Sequence, residues 1–378
     1  MVNTLLDLLQ VLVVLVPILL AVAFITVIER KVMGSIQRRV GPNKVGYYGV
    51  LQPFADALKL VVKETVVPAH ATKSLFFLAP VITLVFRLLG WAVIPFGAGL
   101  RISDFPLGIL YTLAISSIGI YGVLFAGWAA NSKYAFLGSL RSTAQMISYE
   151  LVLSASILTV ILLAGTFNMT GIIEAQESVW FIVPLLPLFI IFFISALAET
   201  NRTPFDLPEA ESELVAGFFT EHSGMIFVFF FLGEYTSIVL MSCLTRILFL
   251  GGYNMTELFT NETFINLQSI ILRLKTCIFM FIFVSWTNVK IKKLLIYLIM
   301  FPHTRTRSIE RLKHLIYVII LLWTRATFPR LRYDQLMTFM WTGMLPVAIA
   351  LVVLVPSILV AFDIAPYSPD IHMINDKV

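Results

Sequence analysis

Ala198-Glu199-Thr200-Asn201-Arg202-Thr203-Pro204-Phe205-Asp206-Leu207-Pro208-Glu209-Ala210-Glu211-Ser212-Glu213 sets five carboxylates and one arginine between two long apolar runs, near 180–198 and 224–250. Charge beside a bilayer is costly, so an acidic concentration there must be solvated, paired or used. The flanking runs decide the class. Of the 378 residues 59% are apolar and only 13% charged, with a mean hydropathy of +0.92. Ordinary globular chains carry roughly 25% charged residues, so this is an integral membrane protein.

Further runs near 5–28, 75–96, 107–129, 144–166, 268–286 and 341–362 bring the expected spans to eight. Backbone groups in lipid must bond internally, so the expectation is an all-α polytopic protein. The first run lacks a basic leader and reads as a retained span rather than a cleaved signal. Lys and Arg alternate by connection. Arg30, Lys31, Arg38, Arg39, Lys44, Lys59, Lys63 and Lys73 follow the first span; Lys133 and Arg141, Arg202, and the set from Lys290 to Arg332 follow the third, fifth and seventh. The odd connections therefore face the insertion side and both termini the other. The net charge of +5 is this loop bias, and nucleic-acid binding is a poor reading of it.

Two cysteines, Cys243 and Cys277, lack CxxC spacing, and none of the five histidines sits mid-span. Iron–sulfur, zinc and haem ligation by this chain are thus not expected.

Within the first connection (29–73), Glu29 at the apolar end of span one needs a partner, while Arg30 and Lys31 suit interfacial anchoring. Gln52–Glu64 reads as an amphipathic interfacial helix with proline in its first turn. Phe54, Leu58, Val61 and Val62 lie on one face, and Asp56, Lys59 and Lys63 on the other. It serves either as a surface prop or as the wall of a lateral opening for a lipid-soluble substrate.

Arg87, Glu150, Glu199 and Glu234 fall in or beside spans, each at about 2.5–3.5 kcal/mol on insertion scales. A hydrated polar path explains the three acids better than isolated ion pairs; no partner for Arg87 is evident from spacing. The acids of the 199–223 loop are interleaved with Phe205, Leu207, Leu214 and Phe218, so part of the loop must bury. Clustered carboxylates there suit a protonation switch. The basic loop at 325–340, with Arg325, Arg330 and Arg332, either anchors the chain or pairs with the acidic loop or a partner.

Several of these stretches resemble one family. They are Glu29-Arg30-Lys31, the run Gln37 to Gly46, Gly127-Trp128-Ala129-Ala130-Asn131-Ser132-Lys133-Tyr134, Ile147-Ser148-Tyr149-Glu150, Ala198 to Leu207 and Pro329 to Met337. In that order they resemble the eight-span subunit 1 family of NADH dehydrogenase, respiratory complex I, in a mitochondrially encoded and fungal style. The resemblance implies a multi-pass protein of the mitochondrial inner membrane, with both termini on the intermembrane-space side. It implies a ubiquinone tunnel whose mouth uses Glu29, Arg30, Arg38, Arg39, Asp56 and Lys59. It also implies an acidic coupling loop of Asp206, Glu209, Glu211 and Glu213, and a buried proton path through Glu150, Glu199 and Glu234. Peripheral-arm and antiporter-side subunits would be the partners, and the NAD site, the flavin (FMN) and the iron–sulfur clusters would lie in neighbouring chains of the complex rather than in this one.

One region departs from the family. Joining Thr287 to Arg325 would restore its usual pattern, which makes 288–324 an apparent insertion, either a lineage-specific hairpin or translated intron. Two alternatives stand beside this: among the family's relatives, the equivalent subunit of an energy-converting hydrogenase, and, from another class, a secondary proton or ion transporter. Against the transporter, no repeat relates the two halves.

Overall fold

The computed structural model describes residues 2–96, 102–207, 215–252 and 330–362, with side chains from Leu9 onward. The regular elements among the described residues are all helical, without strands. In chain order the helices are α1 (Val2–Ile36), α2 (Gln52–Val62), α3 (Lys73–Leu89), α4 (Gly108–Ala130) and α5 (Lys133–Ala164). There follow α6 (Met169–Glu174), α7 (Leu186–Glu199), α8 (Met225–Phe249), α9 (Tyr333–Thr338) and α10 (Leu345–Ala361). A π turn, Phe339–Met344, joins the last two into one continuous helix. Six helical stretches among the described residues are long and apolar enough to cross a membrane, and α7 is a shorter apolar helix. The chain is an all-α polytopic membrane protein. The expected span at 268–286 and the apparent insertion at 288–324 lie outside the described residues.

Successive spans run up and down, with α5 at the centre against α4, α7 and α10, and with α3 packed on both α4 and α8. The connections sort into two ends. At one, the 64–72 segment meets the α4–α5 turn and the start of α8: Thr72 N–H donates to the Ala129 carbonyl at 3.1 Å and Val66 N–H to Ser223 Oγ at 3.3 Å. At the other, Gln176 is a fully bonded buried amide. It donates to the Ile172 and Ile247 carbonyls (3.1 and 2.8 Å) and accepts from Gly251 N–H at 2.9 Å. All the described residues of the first connection, the acidic loop and the basic loop fall at the first end.

Several boundaries differ from the sequence reading. The fourth span is expected from 144, yet α5 starts at Lys133, capped by Ser132 Oγ accepting from Ala135 N–H. Its 32 residues extend about 48 Å, well beyond a hydrocarbon core of roughly 30 Å, so Lys133 and Arg141 ride on its projecting turns. Likewise α1 continues to Ile36, which puts Glu29, Arg30 and Lys31 on helix rather than loop. The fifth crossing shortens instead: α7 has 14 residues, and non-helical residues 180–185 precede it, tied by Ile182 N–H to the Phe249 carbonyl at 3.0 Å. Phe181 and Leu185 are buried against the bundle while Val183 is exposed, so this segment closes the end of the bundle beside the last turn of α8.

Close approach is made by glycine. A Cβ on Gly138 of α5 would stand 2.8 Å from Gly217 Cα, so this contact lets the Gly217–Phe219 turn lie directly on α5.

Candidate functional site

The end of α7 and the turn after it, 199–206, carry the densest buried charge in the described bundle. Glu29, only 2% exposed, projects from α1 to accept from Arg202 Nη1 at 2.9 Å and from the Tyr235 hydroxyl at 2.6 Å. The Arg202 guanidinium also lies over the Tyr235 ring, 4.4 Å from its centroid, adding a cation–π contact. On the other side of the turn, Arg87 of α3 donates to Glu199 Oε1 at 3.1 Å. Glu199 Oε2 is buried with no hydrogen-bond partner among the described residues. Asp206 closes the turn by accepting from Arg330 Nη2 at 3.1 Å, while Leu331 N–H donates to the Pro204 carbonyl. Three ion pairs thus fasten α1, α3 and the 330–331 segment to an eight-residue stretch.

Arg87, without an evident partner in the sequence, finds one 112 residues away. The alternative of pairing between basic and acidic loops is realised at Arg330 and Asp206. Arg332 instead makes an exposed pair with Asp334. Glu209, Glu211, Glu213 and Arg325 lie outside the described residues.

Glu150 of α5 is held by two hydroxyls of α4, Ser116 Oγ at 3.0 Å and Ser117 Oγ at 2.5 Å. It lies within electrostatic range of Glu199. Glu234 sits half-buried on α8, one residue before Tyr235. The three acids expected to form a path therefore occupy α5, α7 and α8, two of them within reach of one another's charge.

The residues expected at a tunnel mouth split into two groups. Arg30 donates to Asp56 Oδ2 at 2.7 Å, Gln52 supports the other carboxylate oxygen, and Phe24 packs edge-on against Phe54 at 6.1 Å. Lys31 Nζ donates to the Tyr48 carbonyl. Arg38, Arg39 and Lys59 are exposed around this joint of α1 and α2. The apolar side chains of α2, Phe54, Leu58, Val61 and Val62, are also exposed, as an interfacial helix requires. Glu29 belongs elsewhere: its carboxylate turns inward to Arg202 and Tyr235, away from the exposed pair.

Four contributors escaped the sequence reading. Gln145, fully buried on α5, donates to the Ala198 and Phe205 carbonyls, both at 2.8 Å. Tyr235 was overshadowed by Glu234 beside it, and Ser116 and Ser117 resemble ordinary small residues of a packed span. A lone glutamine among apolar residues was the available signal, obscured by a span start placed at 144.

Near the end of the acidic loop, His222 is buried between aromatic rings, stacked on Phe76 at 4.3 Å and tilted against Phe230 at 5.2 Å. Burial pushes its pKa down to about 4, and the Ala126 carbonyl offsets only part of that. The imidazole is neutral at pH 7.

Residues 9–304 and 294–356 match the family described as NADH dehydrogenase. The chain is 68% identical to NADH-ubiquinone oxidoreductase chain 1 of Mycosarcoma maydis, covering 97% of this chain and 100% of that protein. It is 56% identical to the protein of the same name from Podospora anserina, over 96% of this chain and 98% of that one. The Neurospora crassa protein, again of that name, is 55% identical over 97% and 98% of the two chains. Matches of this extent, spanning both the charged turn and the helices that hold it, mean that the chain belongs to the NADH dehydrogenase family.

Proposed function

We propose that this chain is a membrane subunit of a proton-translocating NADH:ubiquinone oxidoreductase in the mitochondrial inner membrane. In the overall reaction NADH and one proton reduce ubiquinone to ubiquinol, leaving NAD+. The NAD site, flavin and iron–sulfur clusters are assigned to peripheral-arm subunits. This chain contributes the mouth of the quinone tunnel, around Arg30, Arg38, Arg39, Asp56 and Lys59, and the beginning of an acidic path. Antiporter-side membrane subunits would take up that path, and both termini would face the intermembrane space.

The observation that carries the coupling half of this reading is the buried ion-paired turn at 199–206. A buried ion pair is a weak source of stability, because desolvation offsets most of its attraction. Three ion pairs converging on one turn, two of them buried, beside a carboxylate oxygen of Glu199 without a partner among the described residues, suit a device in which charge is rearranged. Proton occupancy at Glu199, Glu150 and Glu234 would then respond to events in the acidic loop of Asp206, Glu209, Glu211 and Glu213. Ser116 and Ser117 supply hydroxyls able to pass a proton to or from Glu150. Glu29, assigned by resemblance to the tunnel mouth, acts here through Arg202.

Two measurements test the two halves. Glu209→Gln and Glu213→Gln are expected to lower quinone-linked NADH oxidation or its proton yield in the isolated complex. Unchanged rate and stoichiometry in both would remove the coupling role. A photoreactive ubiquinone analogue is expected to label this chain between Arg38 and Lys59; labelling confined to other subunits would remove the tunnel-mouth assignment.

A further inference from the structure

The three ion pairs at 199–206 share one unassigned neighbour, Gln145. Its Nε2 carries two protons, and its two shortest bonds, 2.8 Å each, run to the carbonyls of Ala198 and Phe205. A third acceptor, Asn201 Oδ1, lies at 3.3 Å. These contacts bracket the turn. Ala198 precedes Glu199, Asn201 precedes Arg202, and Phe205 precedes Asp206, so each bond is one residue from an ion-paired side chain. Asn201 has a left-handed backbone (φ 51°), and its own Nδ2 lies 3.7 Å from Met146 Sδ. One helical turn along α5, Tyr149 lays its ring on Phe205 at 5.6 Å, so the i and i+4 positions grip the same turn. Gln145 and Tyr149 are both fully buried.

We propose that Gln145 is a positioning residue for quinone-coupled turnover, holding the turn so that Arg202 meets Glu29, Glu199 meets Arg87 and Asp206 meets Arg330. The amide is suited to this and its relatives in size are not. Methionine has the length but no donor. An ionised glutamate would set a carboxylate against three acceptors. Burial sharpens the difference, because carbonyls deprived of a donor there find no water in exchange.

The proposal rests on the coupling role given above, and its test separates the two. Gln145→Met is made in the parent complex and its assembly checked by native gel. The purified complex is then examined by electron cryomicroscopy and by steady-state kinetics with a short-chain ubiquinone. The Arg202–Glu29 and Asp206–Arg330 pairs are expected to open. The maximal rate is expected to fall about tenfold with the quinone KM changed less than twofold, since displaced catalytic geometry costs from a few-fold to roughly a hundredfold. A merely structural defect would lower the yield of complex and leave the rate per assembled complex alone. Should the methionine variant fail to assemble, Gln145→Asn, which keeps the amide but shortens its reach, gives the same readout. Pairs found in place would overturn the positioning role. Pairs opened with turnover unchanged would overturn the coupling role, and with it the claim that Gln145 serves turnover.

Discussion

The same kind of contact carries different weight at its two locations. Arg30 and Asp56 are 49% and 39% exposed, so water already screens them, and such pairs contribute roughly 0–1 kcal/mol. Arg87 and Glu199, at 11% and 3%, sit where loss of one partner leaves the other charge to be neutralised or stranded, at a cost of up to roughly 3–5 kcal/mol. Arg87→Met should therefore destabilise the complex strongly, as read by its thermal midpoint, whereas Arg30→Met should leave the midpoint nearly unmoved. Adding Glu199→Gln to Arg87→Met should restore most of the loss, because the buried charge goes too. Additive losses in the double variant would mean that the two side chains do not depend on each other. The sequence shows the need for such a pairing, in an arginine and an acid set within apolar runs. It withholds the choice of partner, because two residues 112 apart meet only through the packing of α3, α5 and α7.

At the scale of elements, hydropathy locates spans well and their ends poorly. The reading starts the fourth span at 144 because Lys133 and Arg141 interrupt the apolar run, whereas Ser132 caps a helix that projects beyond the lipid. In the opposite sense, the apolar run from 180 conceals six non-helical residues before α7, whose backbone bonds go to local turns and to the Phe249 carbonyl, which hydropathy does not register. The turn that follows the acidic loop shows another device. Phe230 and Phe76 of α3 flank His222, and Phe218 and Phe219 pack on Phe230 beside them, pinning the 217–222 segment to the bundle. Because the folded-state pKa is lowered to about 4 from an ordinary 6.5, stability from this box is complete above 6.5 and drains as pH falls toward 4. Between pH 7 and 5 the loss should be about 2 kcal/mol. Hydrogen exchange of the 217–224 amides, corrected for the intrinsic rate, should report that loss. His222→Phe should flatten the pH dependence, and a profile unchanged by this substitution would exclude the histidine as its source.

For the whole molecule, the described connections divide by charge. One end gathers the α1–α2 joint, the α4–α5 turn, the 199–206 turn and the 330–332 segment, bringing together Arg30, Arg38, Arg39, Lys44, Lys59, Lys63, Lys133, Arg202 and Arg330. The opposite end holds Asp104 and Asn168, joined at 3.1 Å, together with Glu174 and Glu177. Counting basic residues along the sequence gives this alternation, and the Arg202–Glu29 and Arg330–Asp206 pairs show that the odd connections meet in space as well. A bundle charged this way inserts with the basic end toward the side from which it is assembled, the matrix in the proposed setting. Single cysteines at Lys63 and Ser178, both exposed and at opposite ends, turn that into a measurement. In inside-out inner-membrane vesicles an impermeant maleimide should modify Lys63→Cys and spare Ser178→Cys, and in mitochondria stripped of their outer membrane the preference should reverse. Labelling of both positions from one side would contradict the up-and-down arrangement; a reversed preference would keep the bundle and invert its orientation. Inversion would place the acidic turn on the side away from the NADH-oxidising arm, where it could not respond to quinone reduction, so this experiment bears on function as directly as on topology.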